Sequence, residues 1–400
     1  MTPVLRRQGL VLGALTAIGG LGIDMYLPAL PLMAVELGVP IGTMQLTLSA
    51  YLLALALGQP FYGPLSDRIG RRAPMTIGLI LFGLSSIGCA LARDVTLLIG
   101  LRFLQGLGAS ALMVVSRAVV RDLCTGATAV RLMAIMIAVV GVAPIVSPVI
   151  GGLVAQHLSW RLLFAGLAVL SVGGLLLVLQ LLPETRPVEA RTPGGLRHIA
   201  SVLRELCSDR RFLGLIAIPG LTQASTFAFV ASSAFVFVDL LHMTAAGYSL
   251  VFAITSVALI GGAQFSGGAV ERFGAERVVL TAILVDAAMA LLFLVAAVAD
   301  LLSLGLVCFI FLLTFGSIGF IGSPSSVLAL EPHHRVSGTA ASLAGGFQML
   351  MGALGSGFAS ALANGSAVPL AFVMSGCTLA ALLVAWRTFS GAQPAVTAAD

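Results

Sequence analysis

Lysine is absent from this sequence, and charge of either sign is scarce. All 21 basic residues among the 400 are arginine, acidic residues number only 16, and charged residues make up 9% of the chain. A soluble domain carries roughly 25% charged residues. Apolar runs of about 20 residues recur here without the polar face that a soluble core helix shows. The composition therefore excludes a soluble enzyme and predicts an integral membrane protein.

The sequence also lacks the side-chain clusters that bind metals or catalyse reactions. Its five cysteines are scattered, without the close spacing of a disulfide framework or a metal site. No catalytic triad or phosphate-binding loop is present, and the glycines of 106–110 lack the strand context of a dinucleotide loop. We therefore expect no enzymatic activity, no metal and no cofactor.

Twelve apolar segments follow one another along the chain, and the first contains no convincing signal-peptide cleavage site. The predicted spans are 9–34, 43–65, 74–92, 95–117, 130–155, 160–182, 212–238, 246–268, 277–298, 301–328, 336–362 and 366–387.

The arginines are unequally divided between the two sides of these spans. Eighteen of the 21 fall at the termini or in every second connection, Arg93 and Arg161 fall on the other side, and Arg102 lies within the fourth span. Because basic residues concentrate on the cytoplasmic side, both termini are predicted to be cytoplasmic. The same bias accounts for the net charge of +5, so no nucleic-acid partner is expected.

The chain is an internal duplication. Gly63, Asp67, Arg68 and Gly70 of the loop GPLSDRIGRR (63–72) recur, 204 residues later, as Gly, Glu, Arg and Gly of GGAVERFGAER (267–277). We therefore predict an all-α integral membrane protein with twelve transmembrane helices in two six-helix bundles. Its parts are a first bundle (1–185), a polar cytoplasmic linker (186–210), a second bundle (211–390) and a cytoplasmic tail (391–400).

Two charged residues lie deep within the first bundle. Asp24 is roughly 25 Å along the first helix from Arg7, and Arg102 is about 12 Å along the fourth helix from Asp94, so their depths agree approximately. Ionisable residues in a membrane face the bundle interior and pair with one another. We expect Asp24 and Arg102 to lie close together, directly or through water, and Asp24 to take up and release a proton. A static ion pair that only joins two helices is the alternative.

These motifs resemble the major facilitator superfamily, and within it the drug/proton antiporters of the bicyclomycin-resistance and chloramphenicol-efflux type. The resemblance covers essentially the whole chain and rests on GIDMYLPALP (22–31), the loop at 63–72, LRFLQGLGAS (101–110), APIVSPVIGG (143–152) and the half-repeat. Ser147 stands where many antiporters have Gly.

The resemblance implies proton-coupled efflux of hydrophobic or cationic antimicrobial compounds by alternating access, in a bacterial inner membrane and as a monomer. Protons and the lipid bilayer are then the other partners. Asp24 would bind protons and drugs in competition. The other residues expected to line the substrate cavity are Met113, Met133, Met136, Gln223, Phe227, Phe347, Gln348 and Met349.

Two further elements gain roles from the resemblance. The loop residues Gly63, Asp67, Arg68, Gly70, Arg71 and Arg72 would latch the cytoplasmic ends of the halves. Asp67 would accept hydrogen bonds from a helix N-terminus or from an arginine such as Arg117. The antiport helix would bend or pack closely at Gly141, Pro144, Pro148, Gly151 and Gly152. The plain alternatives are an orienting loop and passive packing.

Substrate class and the role of Asp286 stay open at this point. A specific metabolite, such as a sugar, nucleoside or amino acid, is the alternative to drugs, and a cavity rich in Asn, Gln, Arg and Trp would favour it. Asp286, within the ninth span, is interpreted as a local or protonated structural acid, with a second proton site as the alternative.

Overall fold

The computed structural model describes residues 2–124, 126–186 and 204–390. Long helices follow one another through these residues: α1 Pro3–Glu36, α2 Ile41–Ile69, α3 Arg72–Leu91, α4 Val95–Leu123, α5 Gly126–His157, α6 Arg161–Leu181, α7 Arg210–Leu240, α8 Ala245–Phe273, α9 Ala275–Val298, α10 Leu304–Leu330, α11 Ser337–Leu362 and α12 Val368–Ser390. The predicted all-α membrane fold is confirmed. The end of the bundle that carries residues 68–72 and 272–277 is called the arginine-rich end below.

Eleven of these helices are long and apolar enough to cross a membrane. The other, α11, corresponds to the predicted span 336–362, but 16 of its 26 residues are Gly, Ala or Ser. Small residues allow helix backbones to approach closely. Their abundance fits the position of α11, which packs on α7 of its own half and on α2 of the other half.

The two halves meet along two seams, α2 with α11 and α5 with α8. In the first seam a Cβ added at Gly42 would lie 2.5 Å from the carbonyl oxygen of Ser360, and the hydroxyls of Ser49 and Ser356 are 2.8 Å apart. The glycine therefore lets the helix backbones touch, and the serines satisfy each other across the seam.

The half-repeat is visible in the backbone as well as in the sequence. Helix α2 ends at Gly70 with φ of 92°, and α8 ends at Gly274, 204 residues later, with φ of 83°. Only glycine adopts such angles without strain. The duplicated loop therefore keeps the same turn.

The predicted span 9–34 falls within α1, but α1 is interrupted, which was not predicted from the sequence. A helix over Pro3–Asp24 is followed by a 3₁₀ turn over Leu27–Ala29 and a short helix over Leu30–Glu36. Pro28 and Pro31 cannot donate backbone hydrogen bonds, so the regular helix does not continue through them.

The linker and tail predictions remain untested. Most of the linker, 187–203, and the tail, 391–400, lie outside the described residues. Helix α7 begins where Asp209 accepts hydrogen bonds from the backbone amides of Arg211 (2.8 Å) and Phe212 (3.1 Å), a capping arrangement.

Candidate functional site

Arg102 is the centre of a buried polar network in the first half. Its guanidinium is fully buried, donates to Gln105 Oε1, and donates from Nη2 to the carbonyl oxygen of Gly22 at 2.9 Å. It also lies over the rings of Tyr26 and Tyr51, 4.2 and 4.4 Å from their centroids. Hydrogen bonds and ring faces together offset the cost of burying this charge.

Asp24 ends the regular part of α1 and is 8% exposed. No described residue donates a hydrogen bond to its carboxylate or forms an ion pair with it. Arg102, on α4, instead contacts the α1 backbone at Gly22, two residues before Asp24. The two side chains therefore approach the same turn of α1 but do not form an ion pair. Two tyrosine hydroxyls lie close enough to interact electrostatically with the Asp24 carboxylate: Tyr51 from the first half and Tyr248 from the second.

Helix α5, which contains the predicted antiport motif, packs on α1 at the level of Asp24. A Cβ added at Gly151 would lie only 1.9 Å from the carbonyl oxygen of Met25. Any side chain at Gly151 would therefore push α5 away from the residue next to Asp24.

The same helix exposes a carbonyl to the other half. Pro148 has no N–H, so the carbonyl oxygen of Pro144 has no donor within the helix. The hydroxyl of Ser256, on α8, lies 3.3 Å from that oxygen and 2.8 Å from the carbonyl oxygen of Phe252 in its own helix, so its single proton is shared between the two acceptors. Ser147, in the same turn, bonds back to the carbonyl of Ala143. The prolines thus create a polar contact between the halves at the α5–α8 seam.

The predicted latch residues form ion pairs at the arginine-rich end. Arg71 Nη1 lies 2.9 Å from Asp67, and its Nε and Nη2 contact the carboxylate of Asp122 at 2.7 and 3.2 Å. Arg186 also contacts Asp67, at 3.4 Å. Burial alone would lower the pKa of Arg71, but the hydrogen bonds and charges of Asp122 and Asp67 raise it above its ordinary value.

These ion pairs join residues of the first half to one another and to Arg186, the first residue of the linker, and none of them reaches the second half. Arg72 donates to the carbonyl of Leu179 at 2.7 Å, and the carboxylate of Glu184 accepts the backbone N–H groups of Arg71 and Arg72 at the start of α3. Among the described residues, Asp67 makes its ion pairs with Arg71 and Arg186 rather than with the expected Arg117. The latch between halves therefore remains a prediction.

Three of the predicted substrate residues, Met113, Gln348 and Met349, line a cavity between the halves. This cavity, of about 300 Å³, lies toward the arginine-rich end between α2, α4, α7, α10 and α11, and Met113 and Gln348 form part of its wall. Asp24 does not line it. Phe347 lines a separate groove of about 650 Å³, beside Asp67.

The remaining predicted residues lie elsewhere in the helix packing. Met136 is buried where α5 packs on Gly13, Phe227 is buried against Gly352, and Gln223 is half-buried on α7. Their predicted contact with substrate stays a prediction.

Residues that the sequence did not assign to the cavity also line it. Arg117 was interpreted as a partner for the loop, because it lies at the end of its predicted span, yet its exposed side chain lines the cavity wall. Gln59, on α2, and Ser325, on α10, line it too. Polar residues within apolar spans were the available signal for Gln59 and Ser325.

Asp286 is the other acid buried within a described helix. It is 1% exposed on α9, and its Oδ1 has no hydrogen-bond partner. No group of three or more His, Cys, Asp and Glu side chains in the described ranges is placed to hold a metal ion.

Comparisons with known proteins agree with this architecture. The family model described as Major Facilitator Superfamily matches residues 12–356. The chain is 34% identical over 370 residues to an uncharacterized MFS-type transporter, YdgK, of Bacillus subtilis, covering 91% of this chain and 90% of the relative. It is 28% identical over 378 residues to a bicyclomycin resistance protein homolog of Haemophilus influenzae, covering 94% of each.

A chloramphenicol resistance protein of Pseudomonas aeruginosa is 33% identical over 270 residues, which is 67% of this chain and 63% of that protein. Among solved structures, a D-xylose–proton symporter superposes with a TM-score of 0.75 at 16% identity, covering 96% of this chain and 97% of the symporter. A point mutant of the nucleoside transporter NupG gives 0.72 at 15% identity, covering 96% of this chain and 99% of that transporter. At such identities these structures show the fold alone.

Proposed function

The chain belongs to the Major Facilitator Superfamily, and from that premise we propose that it exports hydrophobic antimicrobial compounds in exchange for protons. The observation that carries the proposal is the buried carboxylate of Asp24, which has no ion-pair partner among the described residues. An unpaired buried carboxylate is strongly disfavoured in its charged form and binds a proton when water is excluded. The names of the bicyclomycin- and chloramphenicol-resistance relatives support antimicrobial compounds as substrates.

Proton exchange at Asp24 would be linked to movement of the halves through α5. Gly151 touches the backbone beside Asp24, and seven residues earlier Pro144 accepts the hydroxyl of Ser256 from the second half. A rocking movement at the α5–α8 seam would therefore alter the surroundings of Asp24. Access of water to the carboxylate would change with it, and so would its protonation.

A cavity at the other end of the bundle supports a release route there. A cavity of about 770 Å³ lies between the ends of α1 and α7 and is lined largely by apolar residues, including Pro28, Pro31 and Phe235. We place the arginine-rich end in the cytoplasm of a bacterial inner membrane and treat the transporter as a monomer. Compounds would enter from the cavity of about 300 Å³ and leave at the opposite end.

The test is uptake of radiolabelled chloramphenicol and bicyclomycin into proteoliposomes that contain the purified full chain. An acidic lumen should drive accumulation above the external concentration, because protons leave as drug enters. Liposomes with a sodium gradient, or with no gradient, serve as controls. Accumulation that follows sodium, or that is equal with and without a pH gradient, would contradict proton exchange.

A specific metabolite is a second candidate, and one observation favours it. The side-chain amides of Gln59 and Gln348 line the cavity and make no hydrogen bond to other described residues, as a hydrophilic substrate would require. The same proteoliposomes should therefore be tested with labelled sugars, nucleosides and amino acids. Saturable uptake of one metabolite without uptake of either drug would select this candidate.

A further inference from the structure

The cavity between the halves has an electropositive wall. Arg117 projects into it from α4 and is exposed there, although it lies within a helix that spans the bundle. The residues that line this cavity include no Asp or Glu. The guanidinium therefore carries its charge into the space without a carboxylate to neutralise it.

The nearest candidate for a protein counter-ion is already engaged. Asp67 and Arg117 both line a narrow adjoining pocket of about 70 Å³, but the Asp67 carboxylate contacts Arg71 at 2.9 Å and Arg186 at 3.4 Å. Among the described residues, no carboxylate lies within 4.0 Å of the Arg117 guanidinium. Arg121, one turn along α4, has the same charge but does not line the cavity.

Other residues that line the same cavity carry polar groups without a hydrogen-bond partner among the described residues. Ser325 is fully buried and lines the cavity, and its hydroxyl has no hydrogen-bond partner. A Cβ added at Gly345 would lie 2.7 Å from Gln59 Oε1 and 3.8 Å from Arg117 Nη1, so the two side chains meet at the same point of α11. A buried hydroxyl without a partner is unfavourable unless a ligand or a water molecule forms a hydrogen bond with it.

We propose that Arg117, Gln59, Gln348 and Ser325 form a subsite that binds an anionic or strongly hydrogen-bond-accepting group of the substrate, such as a carboxylate. Met113, Met349 and Pro219 provide the apolar wall for the rest of the molecule. Of the hydrophobic or cationic compounds that the resemblance implied, the subsite favours hydrophobic compounds that carry one such group over cationic ones. Arginine suits this role because its planar donors match a carboxylate in two places. The inference rests on the proposed function, in that the cavity is taken as part of the transport route.

The test compares three probes with the same apolar body: naphthalene-2-carboxylate, 2-naphthylmethanol and 2-naphthylmethylammonium. Binding to the purified full chain in detergent is measured by equilibrium dialysis, without any gradient. The carboxylate should bind roughly 10-fold more tightly than the ammonium, the effect of about one charge-assisted hydrogen bond. In Arg117→Gln that preference should fall to within about 2-fold, and Arg117→Lys should retain part of it.

Arg121→Gln is the matched control, because it removes the same charge one turn away, at a residue that does not line this cavity. It should keep the wild-type preference for the carboxylate. Elution volume and thermal stability show that each variant is folded, and Ser325→Ala, a smaller change, should weaken carboxylate binding by about 2- to 5-fold.

The inference would be overturned if the wild-type protein bound the ammonium as tightly as the carboxylate, or more tightly. It would also be overturned if Arg117→Gln and Arg121→Gln lost the preference for the carboxylate to the same extent. The binding assay contains no proton gradient, so it fails independently of the proposed function. Carboxylate preference without proton-driven transport would contradict the proposed function alone. Proton-driven transport without carboxylate preference would contradict this subsite alone.

Discussion

The two halves share a fold but differ in the chemistry of their cores. In the first half, α1 and α4 meet around Arg102, whose guanidinium bonds to Gly22 and lies between tyrosine rings. The position 204 residues later is Leu306, and that of Asp24 is Ala228. Beside these residues the second half packs Phe229 against Phe311, with ring centroids 3.9 Å apart.

The same helix arrangement is therefore compatible with a charged core or an aromatic one. Burying charge is costly without a function to retain it. The comparison teaches that duplication supplied the fold twice, whereas the buried arginine of the fourth helix occurs in the first half alone. We propose that the coupling chemistry is concentrated there. The second half contributes α8 and α11 to the seams.

The largest expected effect comes from making the first half resemble the second. Arg102→Leu introduces the residue found at the equivalent position, which is apolar and carries no charge. It should abolish pH-driven accumulation while the protein remains folded, because the tie to Gly22 and the charge near Asp24 are lost. Uptake in proteoliposomes and thermal stability would be measured together.

Leu306→Met is the matched change in the second half and should leave accumulation close to wild type. If both variants transport equally well, the difference between the cores has no bearing on coupling.

Substitutions at equivalent close helix contacts should lower stability equally in the two halves, in contrast to the substitutions in the two cores. Gly151→Ala places a Cβ 1.9 Å from the Met25 carbonyl, and at the equivalent position Gly355→Ala places one 2.1 Å from the Ala224 carbonyl. Each should reduce the free energy of unfolding by ~1–3 kcal/mol, because backbone atoms must move. Thermal denaturation of the purified variants would measure this.

Gly100→Ala is the control for these two, since a Cβ there has no other atom within 4 Å. It should be neutral or slightly stabilising, because alanine favours helix. A neutral Gly151→Ala would show that α5 and α1 are not in close contact.

The equivalent acids of the two loops, Asp67 and Glu271, should differ in their effect on the protein, and the loss of stability should be smaller than at the glycines. Asp67→Asn weakens contacts to Arg71 and Arg186, and since Asp67 is 42% exposed the cost should be ~0.5–1 kcal/mol. If Asp67 also holds the halves together when the cavity faces outward, the variant should open more often toward the arginine-rich end. Ala341→Cys, in a background without the native cysteines, should then be labelled faster.

Glu271→Gln changes the equivalent acid of the second half, which is exposed, and should not alter the labelling rate. Unchanged labelling in Asp67→Asn, together with normal efflux, would leave the loop with an orienting role only.

The smallest effect is expected at the seam between halves. Ser256→Ala removes the hydroxyl that donates to the Pro144 carbonyl at 3.3 Å and should cost ~0.5–1 kcal/mol. Pro148→Ala restores a helical N–H for that carbonyl, so adding Ser256→Ala to it should have little further effect. Additive losses of thermal stability in the double variant would contradict this account of the seam.

Much of the fold was predictable because it depends on two features of consecutive residues, the length of each apolar segment and the glycine of the loop motif. The spans and the turn at Gly70 depend on consecutive residues. The burial of Arg102 followed equally from a charge within an apolar run. The break in α1 was missed although Pro28 and Pro31 are visible, because prolines are tolerated in transmembrane helices and do not by themselves give a break.

The partners of the charged residues were not predictable in the same way. Depth along a helix placed Asp24 and Arg102 at one level, but helix rotation and the competing carbonyl of Gly22 decide the contact, and neither is encoded locally. Arg117 was assigned to the loop because the end of a helix gives no indication that a cavity reaches it. The orphan hydroxyl of Ser325 depends on which helix faces it across the two halves.

The central claim, that the first half carries the proton, is tested most directly by comparing the two buried acids in one transport assay. Asp24→Asn and Asp286→Asn are reconstituted separately, and chloramphenicol is followed both as accumulation driven by an acidic lumen and as exchange of labelled for unlabelled drug without a gradient. The account predicts that Asp24→Asn exchanges drug but does not accumulate it, whereas Asp286→Asn does both. The claim would be contradicted if Asp24→Asn accumulated the drug, or if accumulation were lost in Asp286→Asn but not in Asp24→Asn.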